Sequence, residues 1–186
     1  MKLPKTLESL LLVNDTIKIR KDLIQHPNDH LQDYYVVSST DEAVSIIAIT
    51  ASNEVLVTKE YRHAIQKVVT GFPGGSVDAN ETLMQAAERE LLEETGCKAE
   101  SFEILGSCYP LPGILEQKMT VVLAKGVKVI QKPCPEPTEA IKTFFMTLEN
   151  LQKHVQEDAN IDGIMCMALQ FYSFREGHPL PCQRDF

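Results

Sequence analysis

Three carboxylates, Glu90, Glu93 and Glu94, fall within little more than one helical turn of the segment from Gly74 to Gly96. Oxygen ligands at this spacing suit a hard divalent cation, whose charge relieves their mutual repulsion. The competing reading is a solvated helix face, and geometry separates the two. On a helix turning ~100° per residue, with Leu83 at zero, Leu83, Ala87, Leu91 and Met84 fall between about 0° and 100°. Glu93, Glu90 and Glu94 fall at about 280°, 340° and 20° by the same rotation. Glu94 therefore sits inside the apolar sector and Glu90 on its edge, where a solvated face has no place.

The placement is costly for a helix with no other task. Like charges three or four positions apart destabilise it by about 0.2–0.5 kcal/mol per pair. The dipole also disfavours anions near its C-terminal end, and burial beside the core adds to both costs. Just upstream, Gly71, Gly74 and Gly75 supply three of the nine glycines, with Pro73 between them. Such a loop lets backbone approach a ligand without interference from Cβ. It carries neither a Walker lysine nor a G-x-G-x-x-G pattern.

The elements that must position these groups alternate. Apolar and β-branched runs predict strands over 16–20, 34–38, 43–49, 54–58, 67–70, 102–108, 119–124 and 141–146. A helix capped by Asn80 or Asp78 is expected to run to about Thr95, with Gly96 as a left-handed stop. Thr147 can cap a second helix through about 156, and Asp162 a third over 163–176. Pro133, Pro135 and Pro137 make 132–138 an extended surface loop. The pattern is that of a mixed α/β domain with a β-rich beginning.

Composition excludes several classes. The 186 residues suit one domain, or a core with a short appendage. A net charge of −8 argues against nucleic acid as a main partner. It leaves small phosphorylated ligands open, because a bound cation reverses the local sign. No run reaches the length of a membrane span, and the apolar patch at 9–13 is too short for a signal-peptide core. A cytoplasmic protein is expected. Cys97, Cys108, Cys134, Cys166 and Cys182 are dispersed, without a C-x-x-C pair, which argues against a disulfide framework or a zinc site.

Gly75, Glu81, Arg89, Glu90, Leu91, Glu93, Glu94 and Gly96 match the spacing G-x5-E-x7-R-E-U-x-E-E-x-G-U, where U is bulky and aliphatic. Only the last place departs, with Cys97, and free cysteine packs as a small hydrophobe. The segment resembles the Nudix box of the Nudix hydrolases. The resemblance implies an α/β/α sandwich with a mixed sheet, hydrolysing a nucleoside diphosphate linked to another moiety. It implies Glu90, Glu93 and Glu94 as Mg²⁺ or Mn²⁺ ligands, joined by the Gly74 carbonyl. Glu93 and Arg89 would serve catalysis, Arg89 by orienting the glutamates, and Glu81 would be an electrostatic member of the box.

Outside the box the chain resembles ADP-ribose pyrophosphatases. Lys59–Glu60–Tyr61–Arg62 is similar to their Q-Y-R segment, which implies that Arg62 contacts substrate phosphate. Leu111–Pro112–Gly113 resembles their S-P-G turn, with Glu116 and Gln117 following. Glu136–Pro137–Thr138–Glu139 resembles an E-x-E segment that supplies a metal ligand and a general base. Glu139 fits one of its acids, and Pro137 stands in place of the other. The general base is left among Glu116, Glu136 and Glu139. Where these enzymes show E-L-P-A-G, Gly71 and Gly74 replace the first and fourth residues. With no Trp, base stacking would use Tyr34 or Tyr35, and Tyr35, Gly75, Pro112 and Arg62 are the expected substrate contacts. The implied organisation is an N-terminal strand extension over 1–40, serving dimerisation and substrate binding, before a hydrolase domain over 41–186. The implied substrate is ADP-ribose or a similar nucleoside diphosphate sugar, the products AMP and ribose 5-phosphate, and the assembly a homodimer. The other readings are hydrolysis of a different nucleoside diphosphate derivative and a sensor that binds without cleaving.

Overall fold

The computed structural model describes residues 5–14, 18–38, 42–135 and 140–177. The chain forms two compact units, one from Met1–Glu42 with Cys108–Lys118, the other from Ala43–Ser107 with Met119–Phe186.

In the first unit β1 (Lys5–Asn14), β2 (Lys18–Gln25) and β3 (Leu31–Ser38) form an antiparallel sheet in that order. The expected strands at 16–20 and 34–38 are fragments of β2 and β3, and residues 16 and 17 lie outside the described set. The sequence reading missed β1. Its pairing with β2 slips between Thr6 and Glu8 and again between Leu11 and Val13, and each irregularity interrupts the period-2 signal that marks a strand.

The second unit is built on β4 (Glu42–Ile49), β5 (Glu54–Arg62), β6 (Lys67–Gly71), β7 (Cys97–Lys98), β8 (Ser101–Cys108), β9 (Lys118–Lys125), β10 (Lys128–Val129) and β11 (Ile141–Thr147). Its large sheet runs β11-β5-β4-β9-β8, with β6 paired to β5, and β7 pairs with β10 separately. The helices are α1 (Leu83–Thr95), α2 (Leu148–Glu157) and α3 (Gly163–Glu176).

Alternation along the central strands divides the core. Val44, Ile46 and Ala48 of β4, Leu56 of β5, and Val122 and Ala124 of β9 pack with Ala86, Ala87 and Leu91 of α1. Ile47, Val55, Val57, Val121 and Leu123 point the other way, onto Leu151 of α2 and Met165, Ala168 and Leu169 of α3. Both sheet faces are covered, which is why β4 and β9 read as unbroken apolar runs. Each fully buried Val, Leu or Ile contributes about 1.5–3 kcal/mol. The result is the expected α/β/α sandwich on a mixed sheet. Among the described residues no helix is long and apolar enough to cross a membrane.

The start of α1 corrects the sequence reading. The cap is Thr82, whose hydroxyl accepts the Gln85 N–H while the Gln85 side chain accepts the Thr82 N–H, a closed capping box. Asp78 is occupied in the turn before it, where the Glu81 N–H donates to the Asp78 carbonyl and the Asp78 N–H to Glu81 Oε1. Gly96 ends the helix in the left-handed conformation, φ 68°, as expected. Thr147 and Asp162 cap α2 and α3.

Candidate functional site

The acidic helix face folds as the wheel requires. Glu94 is 5% exposed, buried with Ala86, Ala87 and Leu91 on the core side of α1. Its Oε2 accepts the Gly74 N–H at 3.0 Å, which ties the helix to the glycine loop. That loop is stitched to β4, whose Val44 and Ile46 N–H groups donate to the Gly75 and Pro73 carbonyls at 2.8 and 2.9 Å. Gly74 has φ 152°, and a Cβ there would lie 2.1 Å from the Val44 carbonyl oxygen. A Cβ on Gly75 would lie 2.2 Å from Glu90 Oε1. Gly74 demands glycine because of backbone, whereas at Gly75 a side chain would have to push aside the Glu90 carboxylate that rests there.

Arg89 organises the charge. Its Nη2 and Nε reach the two Glu81 oxygens at 2.6 and 3.1 Å, a bidentate pair. Nη1 donates to Glu90 Oε1 at 2.9 Å and Glu93 Oε2 at 3.3 Å, and Nη2 also to the Ser76 carbonyl at 2.9 Å. Hydrogen bonding to Glu81, against the opposing effect of burial, raises the guanidinium pKa far above its ordinary value, with Glu90 and Glu93 adding to it. The same bond holds the Glu81 carboxyl below the usual range. Glu81, Gln85, Glu88, Arg89, Leu92 and Glu93 line an open depression of about 450 Å³ along the helix. Gln85 and Glu88 were not anticipated, and both lie on the same helical face.

Among the described residues no three His, Cys, Asp or Glu side chains are gathered closely enough to hold an ion between them. Arg89 draws Glu90 and Glu93 towards itself, while the Gly74 amide engages Glu94. The donor set nonetheless fits a hard cation, with carboxylate oxygens on one helix face and a glycine loop that admits Glu90 against its backbone.

The other expected contacts fall elsewhere. In the second unit, Arg62 ends β5 with its side chain 53% exposed, paired to Glu60 at 2.7 Å. In the first unit, Pro112, Glu116 and Tyr34 come together in a groove of about 470 Å³, which Arg20, Val36, Tyr109, Ile114 and Leu115 complete. Tyr34 donates its hydroxyl to the Gly113 carbonyl at 2.6 Å. Tyr35 is the next residue along β3, so its side chain takes the other face of the strand; it is exposed and its backbone pairs with Lys21. Hydrogen bonds from Ser38 and from Arg20 Nη2, the latter at 3.0 Å, keep the Glu116 carboxyl below its ordinary pKa. Arg20 and Tyr109 were missed; Tyr109 stands three residues before Pro112, but nothing local in the sequence marks Arg20. Glu136 and Glu139 lie outside the described residues.

Comparison with known proteins supplies the context. The NUDIX domain family model matches residues 39–163. The chain is 27% identical over 161 residues to the methanol dehydrogenase activator of Bacillus methanolicus, covering 86% of each. It is 23% identical over 158 residues to an ADP-ribose pyrophosphatase of Bacillus subtilis, covering 84% of this chain and 78% of that one. A crystal structure of an ADP compounds hydrolase superposes with a TM-score of 0.84 at 21% identity, over 95% of this chain and 96% of the other, which establishes a shared fold. Nudix hydrolases as a group use divalent cations. With the box residues assembled around Arg89 and the family match covering the large sheet, α1 and α2, the chain belongs to the Nudix hydrolases and resembles their ADP-ribose pyrophosphatases.

Proposed function

We propose that the protein is a metal-dependent pyrophosphohydrolase of ADP-ribose, or a similar nucleoside diphosphate sugar, giving AMP and ribose 5-phosphate. The observation that carries the reading is the box geometry: Arg89 binds Glu81, Glu90 and Glu93 while Glu94 is anchored to Gly74. Glu90, Glu93 and Glu94, with the Gly74 carbonyl, would hold Mg²⁺ or Mn²⁺, and Glu139 would complete the set. A divalent cation bound there supplies charge neutralisation at the pyrophosphate and a more acidic water.

The remaining steps fall to the chain's own residues. Arg62 would contact a phosphate, and Gly75 would let the substrate approach the loop. Pro112 and the exposed Tyr35 are the substrate contacts proposed from the first unit, Tyr35 as a stacking candidate. Hydrolysis breaks one phosphorus–oxygen bond of the anhydride, adds water across it and releases a proton. A carboxylate held below its ordinary pKa is a weak base. That consideration weighs against Glu116 and leaves Glu139 or Glu136 as the proton acceptor.

Residues 1–40 act in this reading as an extension for dimerisation and substrate binding, ahead of the hydrolase domain over 41–186. Exposed Leu7, Leu10 and Leu31 on the N-terminal sheet are the apolar side chains this reading would offer to a homodimer contact. We place the enzyme in the cytoplasm.

One observation favours another substrate of the same class. A Cβ at Gly71 would meet only ordinary contacts, Asp162 Cβ at 3.5 Å and Thr58 Oγ1 at 3.6 Å. Packing does not require glycine there, so glycine where the ADP-ribose enzymes carry glutamate is a difference in the loop that keeps another nucleoside diphosphate derivative in contention. A panel of ADP-ribose, sugar nucleotides, dinucleoside polyphosphates and reduced nicotinamide dinucleotide, assayed with Mg²⁺, separates the possibilities. AMP and ribose 5-phosphate from ADP-ribose at the highest kcat/KM supports the proposal. Tight ADP-ribose binding without cleavage would overturn it in favour of a sensor.

A further inference from the structure

The loop at 109–117 is held by a chain of polar contacts that the hydrolytic reaction does not use. Its backbone is laid on β3, where the Val37 N–H donates to the Ile114 carbonyl at 2.7 Å and the Glu116 N–H to the Val37 carbonyl at 3.1 Å. Tyr109, Leu111 and Ile114 are all exposed, so apolar burial does little to hold the loop in place. Side chains do the rest. Each Glu116 oxygen accepts one donor, Oε1 from Arg20 Nη2 and Oε2 from the Ser38 hydroxyl.

Arg20 is itself fixed from behind. Its Nε donates to both Asp22 oxygens, at 3.1 and 3.0 Å, and Asp22 also accepts the Ser9 hydroxyl. Asp22 is 6% exposed, a carboxylate enclosed within a small sheet, and such a group is retained only with partners. The guanidinium is thus oriented by β2 and presents its far edge to the loop. Hydrogen bonds to Asp22 and Glu116 raise its pKa, so it remains charged throughout.

We propose that Arg20 is a positioning residue: held by Asp22, it latches the 109–117 loop through Glu116 and so sets the groove that Tyr34, Tyr109 and Pro112 line. Glu116 is then a strut of that groove. The arrangement also makes the N-terminal sheet part of any ligand site in the groove, through a contact between residues 96 positions apart.

The test is amide hydrogen exchange on the full-length protein without ligand, comparing wild type, Arg20→Ala, Glu116→Ala and the double variant. Each single change should speed exchange across 109–117 by roughly threefold to tenfold while leaving α1 unchanged. The double variant should be no faster than Glu116→Ala alone, because the one loop contact that Arg20→Ala removes is also lost in Glu116→Ala. Unchanged exchange in the single variants, or effects that multiply in the double, would overturn the latch. Should Arg20→Ala unfold the sheet, Glu116→Ala compared with Ser38→Ala decides: both leave the Arg20–Asp22 and Ser9–Asp22 contacts in place, only the first frees Arg20, and equal exchange in the two would overturn the latch. A kinetic arm rests on the hydrolase reading: with whichever diphosphate substrate is turned over, Arg20→Ala should raise KM by about tenfold with kcat within about twofold. A fall in kcat at constant KM would count against positioning. The exchange arm stands whether or not ADP-ribose is cleaved, so failure of the latch and failure of the proposed activity can be told apart.

Discussion

The Glu90 carboxylate rests on the Cα of Gly75, so close that a β-carbon there would lie 2.2 Å from its Oε1 and 2.6 Å from its Cδ. The neighbour that a larger residue would displace is the movable end of a side chain. Gly75→Ala should therefore shift Glu90 at small cost, about 1 kcal/mol of stability. With Glu90 in its proposed role as a metal ligand, catalysis should suffer more, because moving a reacting group by about 1 Å costs on the order of 10²-fold in kcat/KM. Gly74→Ala makes the contrast, because its clash is with the Val44 carbonyl at a positive φ. It should lower the melting temperature clearly, and thermal unfolding of the pair checks both expectations.

Glu93 and Glu94 differ in exposure but are expected to fail alike. Glu93→Gln and Glu94→Gln should each reduce turnover by on the order of 10²-fold or more. Gln at position 94 can still accept the Gly74 N–H through its amide oxygen, so circular dichroism should be unchanged. Full activity in both variants would remove these carboxylates from the proposed metal site.

Arg89 neutralises three acids, and its loss leaves them facing one another. Arg89→Ala should destabilise the protein by about 2 kcal/mol, given that its charge-assisted bonds are only partly screened by solvent. That corresponds to a melting temperature lower by roughly 4–8 °C for a chain of this size. Arg89→Lys should recover only part of it, because an ammonium group cannot serve both Glu81 oxygens at once.

Acid stability should carry the signature of Glu81. Its folded pKa lies below the ordinary 4.5, chiefly because of the Arg89 hydrogen bond. Unfolded Glu81 takes up its proton first as pH falls, so the unfolded state binds more protons in that window and stability rises with pH. The contribution is fully present above 4.5 and is lost as pH drops through the lower folded value. Denaturant midpoints between pH 6 and 3 should fall less steeply in Glu81→Gln than in wild type; parallel curves would show that the pair does not contribute.

Much of this was legible in the sequence, and the rest was hidden for identifiable reasons. The burial of Glu94 followed from helical spacing, and Gly96 announced the end of α1. Its beginning was misplaced because Asp78, Asn80 and Thr82 are all good caps, and only the reciprocal bond from Gln85 decides among them. The irregular register of β1 erased the alternation that would have revealed it. Glu116 was visible as a loop acid, but its partner was not. No local pattern relates Arg20 to residue 116, because only the pairing of β2 with β3 and the docking of the loop on β3 bring them together.

The discontinuous first unit also sets a folding order. Residues 18–38 are made before the segment that completes their unit, which follows after the intervening Ala43–Ser107, among them β4, β5 and α1. Closing so long a loop is slow relative to local pairing. On the ribosome, the strands that emerge first must wait, edge exposed, until residue 116 has left the exit tunnel. The N-terminal sheet is therefore made well before the segment that completes it.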